Sequence, residues 1–128
     1  MADRAHHAAG GAAAVHPGGR ARDDRRDRVP PGDPGTPPHR HSGPAFGYVI
    51  EGEMLLEVEG EPERVVRAGE AFWEPGGDVI HYQDGNHRDD VRLRFTVTML
   101  CEPGKPMLTL VDEEELVQRR DRRAPRPS

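Results

Sequence analysis

The pattern of hydrophobic and polar positions predicts short β-strands over most of the chain. From residue 91 to residue 99 every odd-numbered position is apolar and every even-numbered position is polar. A period of two is typical of an antiparallel strand with one buried face. Residues 54–58 alternate in the same way, with one apolar face and one mostly acidic face. The pattern therefore predicts antiparallel sheet structure.

Further short strands are predicted between turn signals. They lie at residues 45–50, 65–66, 71–74, 79–83 and 107–111, and glycine, proline or acidic residues separate them. Gly52, in the turn Glu51-Gly52-Glu53, can adopt a positive φ at little cost, which favours a hairpin. About seven short strands at even spacing predict an all-β fold, a small β-barrel or jelly roll.

The two ends of the chain differ in composition from the middle. Residues 1–28 are rich in Ala, Gly, Arg and Asp and predict a disordered tail, which includes His6, His7 and His16. Residues 22–28 are poor strand formers, so either the barrel lacks a strand here or the fold forces the segment into pairing; the composition favours the first. Residues 29–111 form the predicted barrel, and residues 112–128 a short helix followed by a charged, disordered tail.

Three histidines are candidate metal ligands. His39 and His41 are two residues apart on an extended segment, which puts both imidazoles on one face of a sheet. His81, on a later strand, can complete the set. Three imidazoles suit Fe(II), Mn(II), Zn, Ni or Cu. The alternative is that these side chains fill a polar barrel mouth without a metal.

The first histidine segment resembles the first motif of the cupin superfamily. His39 and His41 take the paired-histidine positions, and Gly52 takes the glycine that closes the motif. The glutamate of that motif falls on residue 45, which is Ala45 here. By strand parity Ala45 also faces inward, so the resemblance implies a neutral three-histidine site with positions open to water and substrate.

The second cupin motif is also recognisable. Gly69, Pro75 and Gly77 match it, whereas His81 lies one residue late and Asn86 follows after four residues instead of three. The resemblance covers about residues 29–111 and is to small single-domain cupins of type 2, such as the quercetin-dioxygenase-like proteins. It implies a small jelly-roll β-barrel with a divalent metal ion.

Other residues near the motifs are weaker candidates. Glu74 is a candidate catalytic base or outer partner of the metal site, but an exposed carboxylate at a strand end is the simpler interpretation. The aromatic residues beside the motifs are expected in the core, with pocket lining as the alternative; they are Phe46, Tyr48, Phe72, Trp73 and Tyr82. His87 is expected at the surface.

Charge and composition narrow the possible partners. The net charge is −5, and the acidic excess lies within residues 29–111, which argues against nucleic acid as a ligand. Cys101 is the only cysteine, so no internal disulfide can form. We find no apolar run long enough to cross a bilayer and no apolar leader, so we expect no membrane association and a cytoplasmic location.

Three function classes remain open at this point. The first is a metal-dependent cupin enzyme that acts on a small-molecule substrate as a dioxygenase or isomerase. The second is a non-catalytic cupin that binds a small ligand or serves as a sensor, and the third is a degenerate cupin without metal. We also expect a homodimer, because a missing strand would leave one edge of the barrel for pairing with a second copy.

Overall fold

Ten strands and two short helices make up the structure, a computed structural model that describes residues 14–16 and 20–125, with side chains from residue 28. The predicted disorder of residues 1–13, 17–19 and 126–128, which include His6 and His7, lies outside the described residues. The strands are β1 (Ala14–His16), β2 (Arg20–Val29), β3 (His39–His41), β4 (Ala45–Glu51), β5 (Glu53–Val58), β6 (Arg64–Arg67), β7 (Ala71–Glu74), β8 (His81–Asn86), β9 (Leu93–Cys101) and β10 (Leu108–Leu110).

These strands form two five-stranded sheets in which every pairing is antiparallel. The first sheet has the order β1-β2-β9-β4-β7, and the second has the order β10-β3-β8-β5-β6. The inward residues of both sheets form one core: Val29, Ala45, Val49, Met54, Leu56, Val66, Phe72, Leu93, Phe95, Val97 and Met99. The all-β jelly-roll prediction is thereby confirmed.

The boundaries of two predicted strands shift. β9 begins at Leu93 because Val91 is exposed, and it continues to Cys101 with the predicted alternation of buried and half-buried residues. β8 begins at His81 and runs through residues 84–86, which the sequence predicts as a turn. Pairing with β5 extends β8, since Met54 lies opposite Asn86 and Leu55 opposite Gly85.

Residues 14–16 and 20–28 lie in strands, contrary to the disorder predicted for them. β2 pairs with β9 from Ala21 opposite Cys101 to Val29 opposite Leu93. The free edge of a long strand offers a row of N–H and C=O groups, and pairing satisfies them whatever the side chains are. Buried Val29 anchors the end of β2 in the core. The prediction that the barrel lacks a strand at this position is therefore wrong.

The C-terminal segment packs against the outer face of the second sheet. Helix α1 (Glu113–Gln118) begins after Asp112, whose side chain accepts a hydrogen bond from the Glu115 N–H at 2.9 Å. A 3₁₀ helix, Arg120–Arg122, follows. Leu116 packs on a small second cluster of Ile80, Tyr82 and Val111. The predicted helix is confirmed, whereas the predicted tail after it lies against the barrel at least as far as Arg123.

Among the described residues, neither helix has the length and apolarity needed to cross a membrane.

Candidate metal centre

The three predicted histidines converge between the two sheets. The alternation of β3 turns His39 and His41 inward, and His39 lies opposite His81 on β8. The ring centroids are 4.8 Å apart for His39 and His41, 4.7 Å for His41 and His81, and 5.3 Å for His39 and His81. All three side chains are buried. Imidazoles from two neighbouring strands therefore form one cluster.

Glu74 joins this cluster from the opposite sheet. The residue is 4 % exposed, and its Oε2 lies 3.0 Å from His41 Nε2 and 2.8 Å from His81 Nδ1. The interpretation of Glu74 as a surface carboxylate is wrong. The alternation of the strand could have indicated this position in advance, because Glu74 is two residues from Phe72 and faces the core with it. One candidate ligand atom from each of the four residues lies within 4.8 Å of the other three.

The carboxylate of Glu74 lies where a glutamate at position 45 would place its own carboxylate. In the pairing of β4 with β7, Ala45 lies directly opposite Glu74, and Ala45 is fully buried. Side chains of directly opposed residues project from the same face of a sheet, so either position can present a carboxylate to the histidines. The open three-histidine site implied by the resemblance is thus corrected to a cluster of three histidines and one glutamate.

A close backbone approach fixes β7 beside β3. The loop after Glu74 contacts the loop after His41, and a Cβ added to Gly76 would lie 2.3 Å from the backbone carbon of Gly43. Only glycine permits this spacing without a shift of the backbone. The Gly77 N–H also donates to the His41 carbonyl at 2.8 Å. These contacts hold the carboxylate strand next to the histidine strand.

The outer nitrogen of each imidazole is bound to a backbone carbonyl. His39 Nδ1 lies 2.8 Å from the Pro37 oxygen, His41 Nδ1 lies 3.2 Å from the Met107 oxygen, and His81 Nε2 lies 2.8 Å from the Pro75 oxygen. A carbonyl oxygen only accepts, so each of these nitrogens carries the hydrogen. In a neutral ring the other nitrogen is then a lone pair. For His41 and His81 that nitrogen is the one directed at Glu74.

The inner nitrogens of His41 and His81 thus direct lone pairs at the carboxylate of Glu74. Lone pairs that face one another repel, so a proton or a metal cation must lie between them. Burial opposes the charge of Glu74, but its contacts with His41 and His81 outweigh burial and hold the Glu74 pKa below its usual range. Burial also opposes protonation of His81, but Glu74 outweighs it and raises the His81 pKa. Without metal, these two shifts favour a protonated His81 beside an ionised Glu74.

His39 differs from His81. Burial, followed by the neighbouring His41, lowers the pKa of His39 from 6.5 to about 4. The ring is neutral at physiological pH and available as a ligand. Three imidazoles and one carboxylate are a donor set that fits Fe(II), Mn(II), Zn, Ni or Cu, and the outer hydrogen bonds orient the rings as in metal sites.

The remaining candidates separate into buried and exposed groups. Phe72 and Tyr82 are buried, but Phe46, Tyr48 and Trp73 are 49 %, 47 % and 55 % exposed, so the prediction of core positions is wrong for these three. They project from the outer face of the first sheet, opposite to Glu74. His87 is exposed, as predicted, and Cys101 is buried at the end of β9.

Comparison with known proteins identifies the family. The family model described as "Cupin domain" matches residues 25–99. This chain belongs to the cupin family. The match begins within β2, which agrees with that strand being part of the domain. No curated protein sequence matches the chain significantly.

Several solved structures resemble this cupin. Oxalate oxidase in complex with the substrate analogue glycolate is 29 % identical over 73 % of this chain and 46 % of its own, with a TM-score of 0.54. Salicylate 1,2-dioxygenase from Pseudaminobacter salicylatoxidans is 25 % identical over 62 % of this chain and 21 % of its own, with a TM-score of 0.51. A cupin-like protein from Thermotoga maritima shares the fold at 19 % identity, covering 85 % of this chain and 82 % of its own, with a TM-score of 0.55. The cupin described here thus spans about half the length of oxalate oxidase.

Proposed function

We propose that this cupin binds one divalent metal ion through His39, His41, His81 and Glu74 and uses it in the dioxygenation, oxidation or isomerisation of a small molecule. The observation that carries the proposal is the direction of the imidazoles. Their outer nitrogens donate to carbonyls, while the inner nitrogens of His41 and His81 face the same carboxylate oxygen. A metal cation can bind all of these nitrogen and oxygen atoms at once, which a single proton cannot do.

The charge of the site supports a small carboxylic acid as substrate. Three neutral imidazoles and one carboxylate would leave a divalent ion with one net positive charge, which favours an anionic ligand. Two of the similar structures are named for reactions of small acids, oxalate oxidase and salicylate 1,2-dioxygenase. The metal, when bound, would supply Lewis-acid or redox chemistry. We therefore propose a dioxygenase or an oxidase whose substrate is a small organic acid. An isomerase is the alternative.

The residues of the chain have separate tasks in this proposal. The raised pKa of His81 favours a proton beside Glu74, and an incoming metal ion would displace that proton to solvent. His39 is neutral beforehand and binds without releasing one. The carbonyls of Pro37, Met107 and Pro75 keep the rings in one orientation. These residues therefore define a binding site that exists before the ion arrives.

Metal analysis of protein purified without added metal tests the proposal. We expect about one divalent ion per chain, and calorimetric titration of chelator-treated protein with Mn²⁺, Fe²⁺ (without oxygen) or Zn²⁺ should show one site with proton release. Oxygen consumption with oxalate, glycolate and salicylate then tests the activity. Absence of stoichiometric metal in every preparation contradicts the proposal and supports the degenerate form.

A non-catalytic ligand-binding or sensor cupin is the second candidate. In the described part of the chain the cluster contains four titratable groups, and the proposal uses all four as metal ligands. No further group in the cluster is then left to act as a general base. Stoichiometric metal and tight binding of a small acid, with no turnover under oxygen, would identify this form.

A homodimer also remains a proposal, now on a different surface. Phe46 and Trp73 stack on the outer face of the first sheet, with ring centroids 6.2 Å apart, and Tyr48 lies on the same face. We define these three residues as the aromatic patch. The patch is uncharged, so two copies can face one another without opposing like charges. The predicted cytoplasmic location likewise stays a proposal from the sequence.

A further inference from the structure

The strand that carries two ligands also has an outward side chain that binds the C-terminal helix. Arg40 lies between His39 and His41 and projects from the opposite face of β3. Its guanidinium donates through Nη1 and Nη2 to both carboxylate oxygens of Glu115 on α1. A bidentate pair of this kind fixes the guanidinium in one orientation. The pair therefore joins α1 to the strand position between the two histidines.

Arg40 and a second arginine, Arg119, also contact the loop between Glu74 and His81, the other two proposed ligands. Asp78 lies between Glu74 and His81, and its carbonyl accepts from Arg40 Nε at 3.1 Å. Arg119 donates to the Asp78 carboxylate at 3.0 Å and to its carbonyl at 3.1 Å. The C-terminal segment thus binds both sides of the metal centre from behind the second sheet.

Arg119 and Arg123 extend these contacts to the end of β5. Arg119 pairs with Glu59 at 3.1 Å and 2.5 Å, and the Arg123 guanidinium pairs with both oxygens of Glu57 at 2.7 Å. Side chains of Arg119 and Glu59 are 11 % and 9 % exposed, so solvent screens them less than it screens a surface pair. Arg123 also lies 4.3 Å over the ring of Tyr82.

The backbone before the helix contacts the ligands directly. β10 pairs with β3, with Leu108 opposite His41 and Leu110 opposite His39. The carbonyl of Met107 accepts the hydrogen bond of His41 Nδ1. Any displacement of this segment changes the partner that fixes the His41 ring, and outer partners of metal-bound imidazoles control affinity.

We propose that residues 107–123 are a positioning element for the metal ligands, and that the Arg40–Glu115 ion pair connects the element to His39 and His41. The proposal rests on the proposed metal binding and goes beyond it, because none of these residues is a ligand. It predicts that metal affinity depends on a charge on the outer surface of the protein.

The test compares Glu115→Gln with two controls. Glu114→Gln removes a charge from the same helix at an exposed position that pairs only weakly with Gln118, and Val66→Ala lowers stability through a fully buried residue of β6. We expect Glu115→Gln to weaken Mn²⁺ binding about tenfold in calorimetry. Both controls should bind as the wild type does, and Arg40→Gln combined with Glu115→Gln should bind no more weakly than Arg40→Gln alone.

A second measurement on metal-free protein separates this proposal from metal binding itself. Nuclear magnetic resonance should show the His41 Nδ1–H protected from exchange in the wild type and in Glu114→Gln, and exposed to faster exchange in Glu115→Gln. If the wild type binds no metal, the proposed function fails, and the exchange rate alone decides the positioning role. If Glu115→Gln matches Glu114→Gln in exchange, and in affinity where metal binds, the positioning role is overturned.

Discussion

At the scale of single residues, the centre depends on four side chains that two different sheets supply. Replacing His39, His41 or His81 by alanine removes a nitrogen that no described neighbour replaces. We expect each variant to lose metal affinity by at least about a hundredfold, more than the loss typical of outer partners. His87→Ala, which changes an exposed histidine, is the control. Metal content after dialysis measures the effect, and full retention by any of the three would remove that residue from the site.

The opposition of Ala45 and Glu74 permits an exchange experiment. Glu74→Ala should lose most metal affinity, because it deletes the only carboxylate that the structure places in the cluster. Adding Ala45→Glu to that variant returns a carboxylate from the opposite strand, into the volume that residue 74 has vacated. We expect the double variant to regain a measurable part of the affinity in calorimetry.

Ala45→Glu alone is the control for this exchange. It places a second buried carboxylate beside Glu74, and two like charges in one buried site oppose each other's ionisation. We expect a lower Tm and no gain in affinity. A double variant that binds no better than Glu74→Ala would show that the two positions are not equivalent.

The histidine pKa values predict opposite pH effects on metal-free stability. For His39 the folded pKa of about 4 lies below the unfolded value of 6.5, so stability falls as pH drops from 6.5 towards 4, by about 3 kcal/mol at most. For His81 the folded pKa is raised, so its contribution is complete below 6.5 and is lost as pH rises through the folded pKa. We therefore expect the Tm of chelator-treated protein to peak near pH 6.5.

Metal should abolish the alkaline side of this maximum. A bound ion replaces the proton that His81 and Glu74 hold, so the loaded protein does not lose that contribution as pH rises. Melting curves at pH 5 to 9, with and without Mn²⁺, measure both sides. Equal alkaline losses in the two forms would contradict the role of His81 as a ligand.

At the scale of elements, β2 has a larger part than its composition indicates. Its backbone pairs with β9 along most of both strands, and each net hydrogen bond is worth about 0.5–1.5 kcal/mol. A truncation that starts at Val29 should therefore lose several kcal/mol and its cooperative thermal transition. A truncation that starts at Arg20 keeps β2 and is the matched control. Identical melting curves for the two truncations would show that β2 does not stabilise the fold.

At the scale of the whole molecule, the aromatic patch predicts self-association. Replacing Phe46 and Trp73 together by serine removes most of the apolar area of the patch without touching the core. We expect the wild type to be a dimer in light scattering and this double variant to be a monomer with a similar Tm. Val117→Ser is the control, since Val117 is 53 % exposed on α1, behind the second sheet. A monomeric wild type at high concentration contradicts the dimer.

The sequence by itself determined the strands and the histidines, because both depend on local periodicity. Alternation with a period of two fixes which side of a strand is buried, so Leu93, Phe95 and Val97 are core residues wherever β9 lies. The same rule turns His39 and His41 to one face. The family resemblance adds His81, whose own strand begins at that residue.

Only the tertiary structure decided which partners those elements meet. Nothing local indicates that Glu74 lies opposite Ala45, because strand register depends on the whole sheet. Nor does local propensity predict β2, whose pairing satisfies the long-range need of β9 for backbone partners. The contact of Arg40 with Glu115 likewise joins residues far apart in the chain. Local physics set the faces of the strands, and long-range pairing assembled the site from them.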